Sequence, residues 1–478
     1  MRKVLIVGSA LLFCACGGNT YEPLPQRDTR AEGYVYVAEN SFMVDDSVWF
    51  PLMINYGAEV ASEADSMWLK PMKHYGAGTV EEHLATVADW GFNAVRLCAD
   101  HLDYDEVGTQ FGLAVRRTAQ VADSLGLKIM LLLKTPWTDE QMARTAEVLD
   151  ALADCSAVWA YDFVNEPLYF DPEPQRSKRS VATLANKWRH LVEQHAPHQL
   201  FTIGLAEPIE VFEWDPALLP VDFINIHTYH PLRVGSEMWW YAHYPRRPWM
   251  VGEVGLPADG DSVPYAWQST FMVETYRRAL ALGAMGYGWW EFQDFPNGVN
   301  FEAQYTGLRR SDGTPKPAAS VVRTLRSLDP DSVAEPPVNY YNILGYSHVA
   351  IRGRVVDPHG EPIEGAVVRG WNDDWSIGMN TFTDENGAFA LVCNDLCVHF
   401  EVSAAGYSRA KFDAHPTFTR PYTDLNTTLT RLIEYQSIDY RWFLTSDSSM
   451  LTFNELKFNT ADFDASLPDI KLKRLAKL

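Results

Sequence analysis

Short apolar runs alternate with amphipathic stretches through the first two thirds of the chain. Most of the runs are separated by helical patterns such as TVEEHLATVADWG and TAEVLDALADC. The runs are WFPLMINY (49–56), FNAVRLC (92–98), KIMLLLK (128–134), VWAYDFV (158–164), LFTIGL (200–205), FINIHTY (223–229), WMVGEVG (249–255) and YGWWEF (287–292). Eight strands that alternate with helices over about 300 residues predict a (β/α)8 barrel. We assign this barrel to residues 34–332.

An open, doubly wound parallel sheet is the alternative arrangement of the same elements. Such a sheet normally carries a Gly-rich phosphate loop directly after its first strand. The first apolar run continues instead as MINYGAEV, which is not a loop of that kind. The sequence therefore favours the closed barrel.

The pattern changes after the barrel. A Pro-rich linker is predicted at 333–346, and period-two alternation follows in VAIRGRVVDPHGEPIEGAVVRGW and NTFTDENGAFALVC, with Pro-His-Gly and Glu-Asn-Gly turns. Residues 347–432 resemble the carboxypeptidase-regulatory-like β-sandwich, and this resemblance implies an accessory or spacer role. Residues 433–478 predict a strand-like extension to which we assign no function. The predicted fold is thus α/β, a (β/α)8 TIM barrel followed by a small all-β sandwich.

The chain begins with MRKVLIVGSALLFCACGGN, in which two basic residues precede an apolar run, small residues and cysteine. This pattern predicts a secretory signal, and its apolar run is too short to span a bilayer. Residues 1–16 also resemble a bacterial lipoprotein signal, which implies that Cys16, preceded by the small Ala15, is lipidated. Residues 17–33 are then a polar tether, and Gly17 after the cysteine favours the outer membrane. An ordinary soluble secretory signal is the alternative.

Composition argues against nucleic acid as a partner and is compatible with carbohydrate. The chain has 40 basic and 62 acidic residues and a net charge of −22, so its field repels phosphate backbones. Nucleic acid is therefore not expected as a partner. Sixteen Trp are compatible with sugar-stacking surfaces, although core packing is the alternative for each one.

The cysteines after the signal give two different predictions. Cys393 and Cys397 lie close enough in the sequence to bridge a tight turn, whereas Cys98 and Cys155 lie in apolar contexts that predict buried thiols. None of the four has the spacing to histidines that a metal site requires.

Residues whose side chains can take part in catalysis or binding follow the predicted strands, at the end of the barrel where active sites lie in such folds. They are Asn55, Tyr56, Arg96, Asn165, Glu166, His227, Tyr229, Glu253 and Trp290. Glycoside hydrolysis needs one protonated carboxyl as a proton donor and a second, ionised carboxylate. Glu166 and Glu253 form such a pair, because two carboxylates about 5 Å apart raise one pKa. Arg96 beside Glu253 would hold that second group ionised.

Two motifs extend this prediction. VNEP at the fourth strand end and VGEVG at the seventh resemble the retaining glycoside hydrolases of the 4/7 barrel clan, most of all family 5, over residues 34–330. The resemblance implies that Glu166 is the acid/base and Glu253 the nucleophile. For substrate binding it implies Asn165 at the sugar 2-hydroxyl, Arg96 and Tyr229 at the nucleophile, His227 near the acid/base, and Trp290 as a sugar platform.

One departure leaves the subfamily open. Many family 5 members carry His after the third strand, whereas this chain reads LLLKTPW, so the family 2 and family 42 types stay possible. Two other functions remain: a non-catalytic, glycan-binding surface lipoprotein, and an adhesion protein acting through its β-sandwich. We predict a lipid-anchored, retaining β-glycosidase that needs no metal or organic cofactor and acts on a β-linked polysaccharide or oligosaccharide. Loops with Trp137, Trp214, Trp239 and Trp240 are candidates for shaping its subsites.

Overall fold

The structure is a computed structural model of the 478-residue chain. It describes residues 25–64, 66–173, 176–229, 234–328, 349–374, 378–393, 396–419 and 463–475. The predicted signal with Cys16 and the predicted linker lie outside the described residues.

The elements of the first part of the chain alternate as the apolar runs predict. The strands are β1 (Val35–Ala38), β2 (Ser41–Val44), β3 (Ser47–Val48), β4 (Leu52–Glu63), β5 (Ser66–Pro71), β6 (Ala94–Cys98), β7 (Lys128–Leu132), β8 (Val158–Asn165), β9 (Leu200–Leu205), β10 (Ile224–His227), β11 (Trp249–Glu253) and β12 (Tyr287–Trp289). The helices are α1 (Val80–Trp90), α2 (Thr109–Ser124), α3 (Asp139–Leu152), α4 (Pro167–Phe170), α5 (Lys178–His195), α6 (Pro208–Trp214), α7 (Val234–His243), α8 (Tyr265–Ala281), α9 (Phe301–Tyr305) and α10 (Pro317–Leu325).

Strands β4 and β6 to β12 close into a parallel barrel. Each strand pairs with the next in chain order, and β12 pairs with β4 to complete the circle. All eight predicted strands are present, so the predicted (β/α)8 barrel is confirmed. The prediction ended the first strand at residue 56, whereas β4 continues to Glu63 and folds back on β5 as an antiparallel hairpin.

Local sequence signals set the helix ends. Thr79 and Glu82 form a capping box at α1, in which each side chain accepts a hydrogen bond from the other residue's backbone N–H. Thr138 and Gln141 repeat the motif at α3. Each N-cap of this kind contributes roughly 1 kcal/mol. At the other end of α1, Gly91 adopts a left-handed conformation with φ of 103° and stops the helix.

A small sheet of β1 to β3 covers the amino end of the barrel. Phe42 packs edge-on against Trp159 and Phe223, with ring centroids 5.1 Å and 4.9 Å away. These side chains belong to a separate apolar cluster that also contains Met53 and Met250, near the starts of their strands. The amino end of the barrel is therefore sealed by packing, and the carboxyl end is left for chemistry.

The segment before β1 also contacts the barrel. Arg27 donates to Asp222 at 3.0 Å and to the carbonyl of Gln199 at 2.7 Å, and both side chains of the ion pair are buried. The predicted polar tether extends to residue 33. Its final part is thus attached to the barrel by a buried ion pair.

The C-terminal part forms two facing sheets. Their strands are β13 (Val349–Val356), β14 (Val367–Trp371), β15 (Gly378–Phe382), β16 (Ala388–Cys393), β17 (His399–Ser403), β18 (Ala410–Asp413), β19 (Thr417–Phe418), β20 (Phe463–Ser466) and β21 (Ile470–Lys471). One sheet has the order β16-β13-β20-β19, with β21 also on β13, and the other has the order β15-β14-β17-β18. The predicted all-β domain is present, and β20 and β21 of the extension are part of it.

The cysteines follow the prediction as far as they are described. Cys98 and Cys155 are 7% and 8% exposed, so the predicted buried thiols are confirmed. The side chain of Cys393 lies outside the described residues, and its bridge to Cys397 stays a prediction. Among the described helices, none has both the length and the apolar character needed to cross a bilayer.

Candidate active site

A cavity of about 750 Å³ opens at the carboxyl end of the barrel. This volume lies within the range of sites that enclose small ligands. Its lining is Asp100, Asn165, Glu166, Tyr169, Phe170, Ala206, Glu207, Thr228, Tyr229, Glu237, Glu253, Trp290, Val299, Asn300, Glu302 and Ala303. The parallel strands explain the position, because their carboxyl ends meet around one opening.

Arg96 lies fully buried in the middle of β6 and connects the polar groups below the cavity. Its guanidinium contacts Asp162 at 2.8 Å and donates to Asn165 Oδ1 at 2.9 Å. It also donates to Glu253 and, at 3.1 Å, to Asn55 Oδ1. Burial disfavours its charge, but the two acidic partners outweigh burial and raise the pKa of Arg96. The structural ion pair with Asp162 and the contact to Glu253 therefore coexist.

Glu253 is the last residue of β11 and receives two strong donors. One carboxylate oxygen contacts Arg96, and the other accepts from the Tyr229 hydroxyl. Burial raises the pKa of Glu253, whereas Arg96 and the hydroxyl bond act in the opposite direction. Both donors stabilise the ionised form. Of Glu166 and Glu253, Glu253 is therefore the one whose hydrogen-bond donors favour the ionised form.

Glu166 follows β8 in a left-handed conformation, with φ of 44°, and Pro167 begins the short helix α4. Proline cannot continue the ladder of the strand, so the carboxyl is left at the strand tip. Its side chain is 16% exposed and lies 2.8 Å from His227 Nδ1. Burial raises the pKa of Glu166 to about 7, with Arg96 lowering it and Glu207 raising it further. Glu166 is therefore poised to hold a proton near neutral pH.

His227 separates the two carboxyl groups. Its Nδ1 is 2.8 Å from Glu166 and 3.5 Å from Glu253. Burial lowers the pKa of His227 to about 4, so the imidazole is neutral at pH 7. The ring packs on Gly204 of β9, where a Cβ atom would approach it to 2.7 Å. Glycine at this position thus gives the ring its place between the glutamates.

Ligand atoms of Glu166, His227 and Glu253 all lie within 4.8 Å of one another. Such a donor set also suits a divalent cation in principle. Arg96 already donates to Glu253 from within this group, and a second positive charge there would face the guanidinium. The arrangement fits two carboxyl groups that act on a substrate better than it fits a metal centre.

The structure brings the predicted site residues together. Six of them form one group connected by hydrogen bonds and by the 3.5 Å contact between His227 and Glu253: Arg96, Asn165, Glu166, His227, Tyr229 and Glu253. Trp290 lines the same cavity. Their roles in catalysis and binding remain predictions.

The four other Trp residues, which were candidates for shaping the subsites, are not among the residues that line this cavity. Trp214 is buried and stacks on Trp188, with ring centroids 6.0 Å apart, and Trp137 packs against the same ring. Trp240 is buried against the β-sandwich, and Trp239 stacks on a histidine of its own helix. Besides Trp290, the aromatic lining of the cavity comes from Tyr169, Phe170 and Tyr229.

Sequence reasoning also missed four acidic residues of the cavity. These are Asp100, Glu207, Glu237 and Glu302. Asp100 and Glu207 come two residues after β6 and β9, so the strand-end rule that found the others could have found them. Glu237 and Glu302 lie on α7 and α9, where nothing in the local pattern marks them.

Comparison with known proteins covers the two domains separately. Residues 350–430 match the family model of the carboxypeptidase regulatory-like domain. This confirms the predicted resemblance of the C-terminal domain. No curated protein sequence matches the chain.

Several solved structures resemble the barrel. An exo-β-1,4-mannosidase from Opitutaceae bacterium strain TAV5 has 18% identity and a TM-score of 0.46, over 62% of either chain. The match therefore spans less than two thirds of that protein. A GH5_18 protein from Streptomyces cattleya in complex with GlcNAc has 19% identity over 65% of this chain and 85% of its own, with a TM-score of 0.46.

A GH5_18 protein from Bifidobacterium longum subsp. infantis has 15% identity, a TM-score of 0.44, and coverage of 60% of this chain and 79% of its own. At these identities and TM-scores, none of the three structures assigns an activity to this chain.

Proposed function

We propose that this protein is a retaining β-glycosidase that hydrolyses O-glycosidic bonds by double displacement. The observation that carries the proposal is a pair of carboxyl groups in one cavity, with oxygens within 4.8 Å and unlike surroundings. Retaining enzymes place their two carboxyl groups about 5 Å apart, whereas inverting enzymes leave a wider gap for water.

The different surroundings of Glu253 and Glu166 give the two glutamates different roles in the proposed mechanism. Glu253, held by Arg96 and Tyr229, attacks the anomeric carbon, and its bond to that carbon forms as the glycosidic C–O bond breaks. Glu166, whose pKa is raised to about 7, gives its proton to the leaving oxygen. In the second step Glu166 takes a proton from water, and the resulting hydroxide displaces Glu253 and releases the sugar.

The remaining site residues orient the substrate. Asn165 lies beside Glu166 and is held by Arg96, so its amide is available to a sugar hydroxyl. Trp290 offers an aromatic face at the cavity wall. The proposed substrate is a β-linked polysaccharide or oligosaccharide.

We further propose that the chain is secreted and held at a bacterial membrane through a lipid on Cys16, with the outer membrane favoured. The support is the N-terminal sequence pattern.

A non-catalytic, glycan-binding lipoprotein on the same barrel is the alternative, and one experiment separates the two. The mature chain from Cys16 onward is assayed for release of reducing sugar from a panel of β-linked polysaccharides and aryl glycosides. Glu253→Ala is assayed in parallel, with Glu140→Ala, which changes an exposed residue of α3, as the matched control. We expect turnover in the wild type and in the control, and loss in Glu253→Ala. Binding without turnover on any substrate would establish the alternative.

A further inference from the structure

The β-sandwich is docked on the barrel beside the cavity through buried polar contacts. Lys178, at the start of α5, is buried and donates to the Ala404 carbonyl at 2.8 Å and to Asp215 at 3.1 Å. The same Asp215 accepts from the backbone N–H of Gly406 at 2.8 Å. A polar group that is buried without its partner destabilises the fold, so these bonds fix the relative position of the two domains.

A second set of contacts lies on α7. The buried Trp240 stacks on Phe382 with ring centroids 5.5 Å apart, and its Nε1 donates to the Gly365 carbonyl at 3.0 Å. Gly365 has a φ of 71°, and a Cβ atom there would approach Tyr244 to 2.2 Å. The sandwich backbone therefore lies directly against the barrel, with no space for a side chain between them.

A third contact reaches the cavity wall. Arg369 of β14 and Asn380 of β15 are directly paired across their two strands and face the barrel together. Asn380 donates to Glu207 Oε2 at 3.3 Å, and an Arg369 nitrogen lies 3.8 Å from the same oxygen. The other oxygen of Glu207 accepts from the Tyr169 hydroxyl at 3.3 Å. Glu207 and Tyr169 both line the cavity.

Glu207 in turn acts on Glu166. Its negative charge disfavours ionisation of that carboxyl and adds to the rise in the pKa of Glu166. The side chains of Glu207 and Arg369 are each 14% exposed, so solvent screens their interaction only partly. The charged and titratable groups that face Glu166 are Arg96, Asp100, Asp162, Tyr169, Glu207, Glu210, His227, Tyr229 and Glu253. All of these belong to the barrel, and Glu207 is the one that the sandwich holds through Arg369 and Asn380.

We infer that the β-sandwich is a working part of the catalytic unit, in which Arg369 and Asn380 are positioning residues that hold Glu207 in the cavity wall beside Glu166. This inference rests on the proposed function. It gives the domain a role beyond that of a spacer. Arg369 neutralises part of the Glu207 charge, and Asn380 fixes the direction of its carboxylate. The protonation of Glu166 is therefore influenced by residues of a second domain.

The test follows the protonation of Glu166 in the full mature chain by carbon NMR, with glutamate labelled at its side-chain carboxyl carbon. The Glu166 signal is the one that disappears in Glu166→Gln, and no turnover is needed to observe it. Removing the Arg369 charge exposes Glu166 to the full charge of Glu207, so Arg369→Ala shifts the midpoint of the titration upward. Glu207→Gln shifts it downward. We expect shifts of a few tenths of a pH unit, the size that one partly screened charge produces.

The controls separate positioning from general damage. Arg354→Ala removes an exposed arginine on β13 and leaves the midpoint unchanged. Arg369→Lys keeps the charge and returns the midpoint toward that of the wild type. Asn380→Ala keeps both charges but frees the Glu207 carboxylate, so its midpoint differs from that of the wild type, and an unchanged midpoint would show that Asn380 has no positioning role. In the Glu207→Gln background, Arg369→Ala has a smaller effect than in the wild type.

Two results would overturn the inference. One is an Arg369→Ala midpoint equal to that of Arg354→Ala, and the other is an undiminished Arg369→Ala shift in the Glu207→Gln background. The pH profile of kcat/KM is recorded on the same variants. If the shifts appear but the wild type hydrolyses nothing, the proposed function fails while the positioning by the sandwich stands. If turnover is present without the shifts, only the inference fails.

Discussion

The buried carboxyl of Glu166 makes the stability of the barrel depend on pH. The substitution Glu166→Gln is expected to remove this dependence. The pKa of Glu166 is about 7 in the folded chain, against 4.5 for the ordinary side chain. Between these pH values the folded chain keeps a proton that the unfolded chain has released. Stability therefore falls as pH rises through this window, and below it the group contributes nothing. In Glu166→Gln the side chain does not titrate, so its contribution to the fall in stability with rising pH disappears.

The size of the effect follows from the pKa difference. Each pKa unit corresponds to about 1.4 kcal/mol, so the full difference gives about 3 kcal/mol. The side chain is only 16% exposed, which limits screening by solvent. Unfolding entropy is about 2.1 cal/mol/K per residue, or about 0.6 kcal/mol/K for a barrel of roughly 300 residues. The expected relative change in Tm is therefore about 5 °C.

The assay is calorimetric melting of the wild type and Glu166→Gln from pH 4 to pH 8. We expect the Tm of the variant, relative to the wild type, to rise across this range. Loss of the contact to His227 adds an offset that is nearly constant with pH. Glu63→Gln, at the exposed end of β4, is the matched control and should give a flat difference. A flat difference for Glu166→Gln as well would show that Glu166 is not held protonated, and the acid/base assignment would lose its physical basis.

Three further predictions concern activity and the buried ion pairs that Arg96 forms with Asp162 and Glu253. The alkaline limb of kcat/KM should lie near pH 7, because the proposed mechanism requires protonated Glu166, and a pH profile without a limb there would contradict this. Tyr229→Phe should lower kcat/KM by about 10- to 100-fold, since a hydrogen bond to a charged group contributes about 1.5–3 kcal/mol; an unchanged value in steady-state kinetics would exclude a role of the hydroxyl. Arg96→Met should destabilise the protein by about 3–5 kcal/mol in urea unfolding at pH 7, because it leaves Asp162 and Glu253 buried without their cation; this loss should shrink at acid pH as the carboxyl groups become protonated.

The barrel and the centre of its site could be read from the sequence because both depend on local pattern. Apolar runs of strand length between helical repeats can close only into a few folds. In a parallel barrel, every strand end meets the same opening. Arg96, Glu166 and Glu253 could therefore be grouped before any contact was known, although they are far apart along the chain.

The parts that were not predicted depend on contacts between distant segments. The sheet of β1 to β3 over the amino end of the barrel has strands of two to four residues, too short for a clear alternation. The stacking of Trp240 on Phe382 exists only because the sandwich docks there. The position of Glu207 between Arg369 and the cavity likewise depends on the docking of two domains, which no periodicity in either domain encodes.

The pairing of the chain's last strands with β13 has a consequence for how the protein is made. β13 forms ladders with β16 on one side and with β20 and β21 on the other, so its second edge is filled by residues 463–475. During synthesis this edge is open until the final segment has emerged, and an open edge is a template for pairing with other chains. In a chain truncated at residue 432, this edge of β13 would stay open. The segment 463–475 therefore protects the edge of a strand that is translated about a hundred residues earlier.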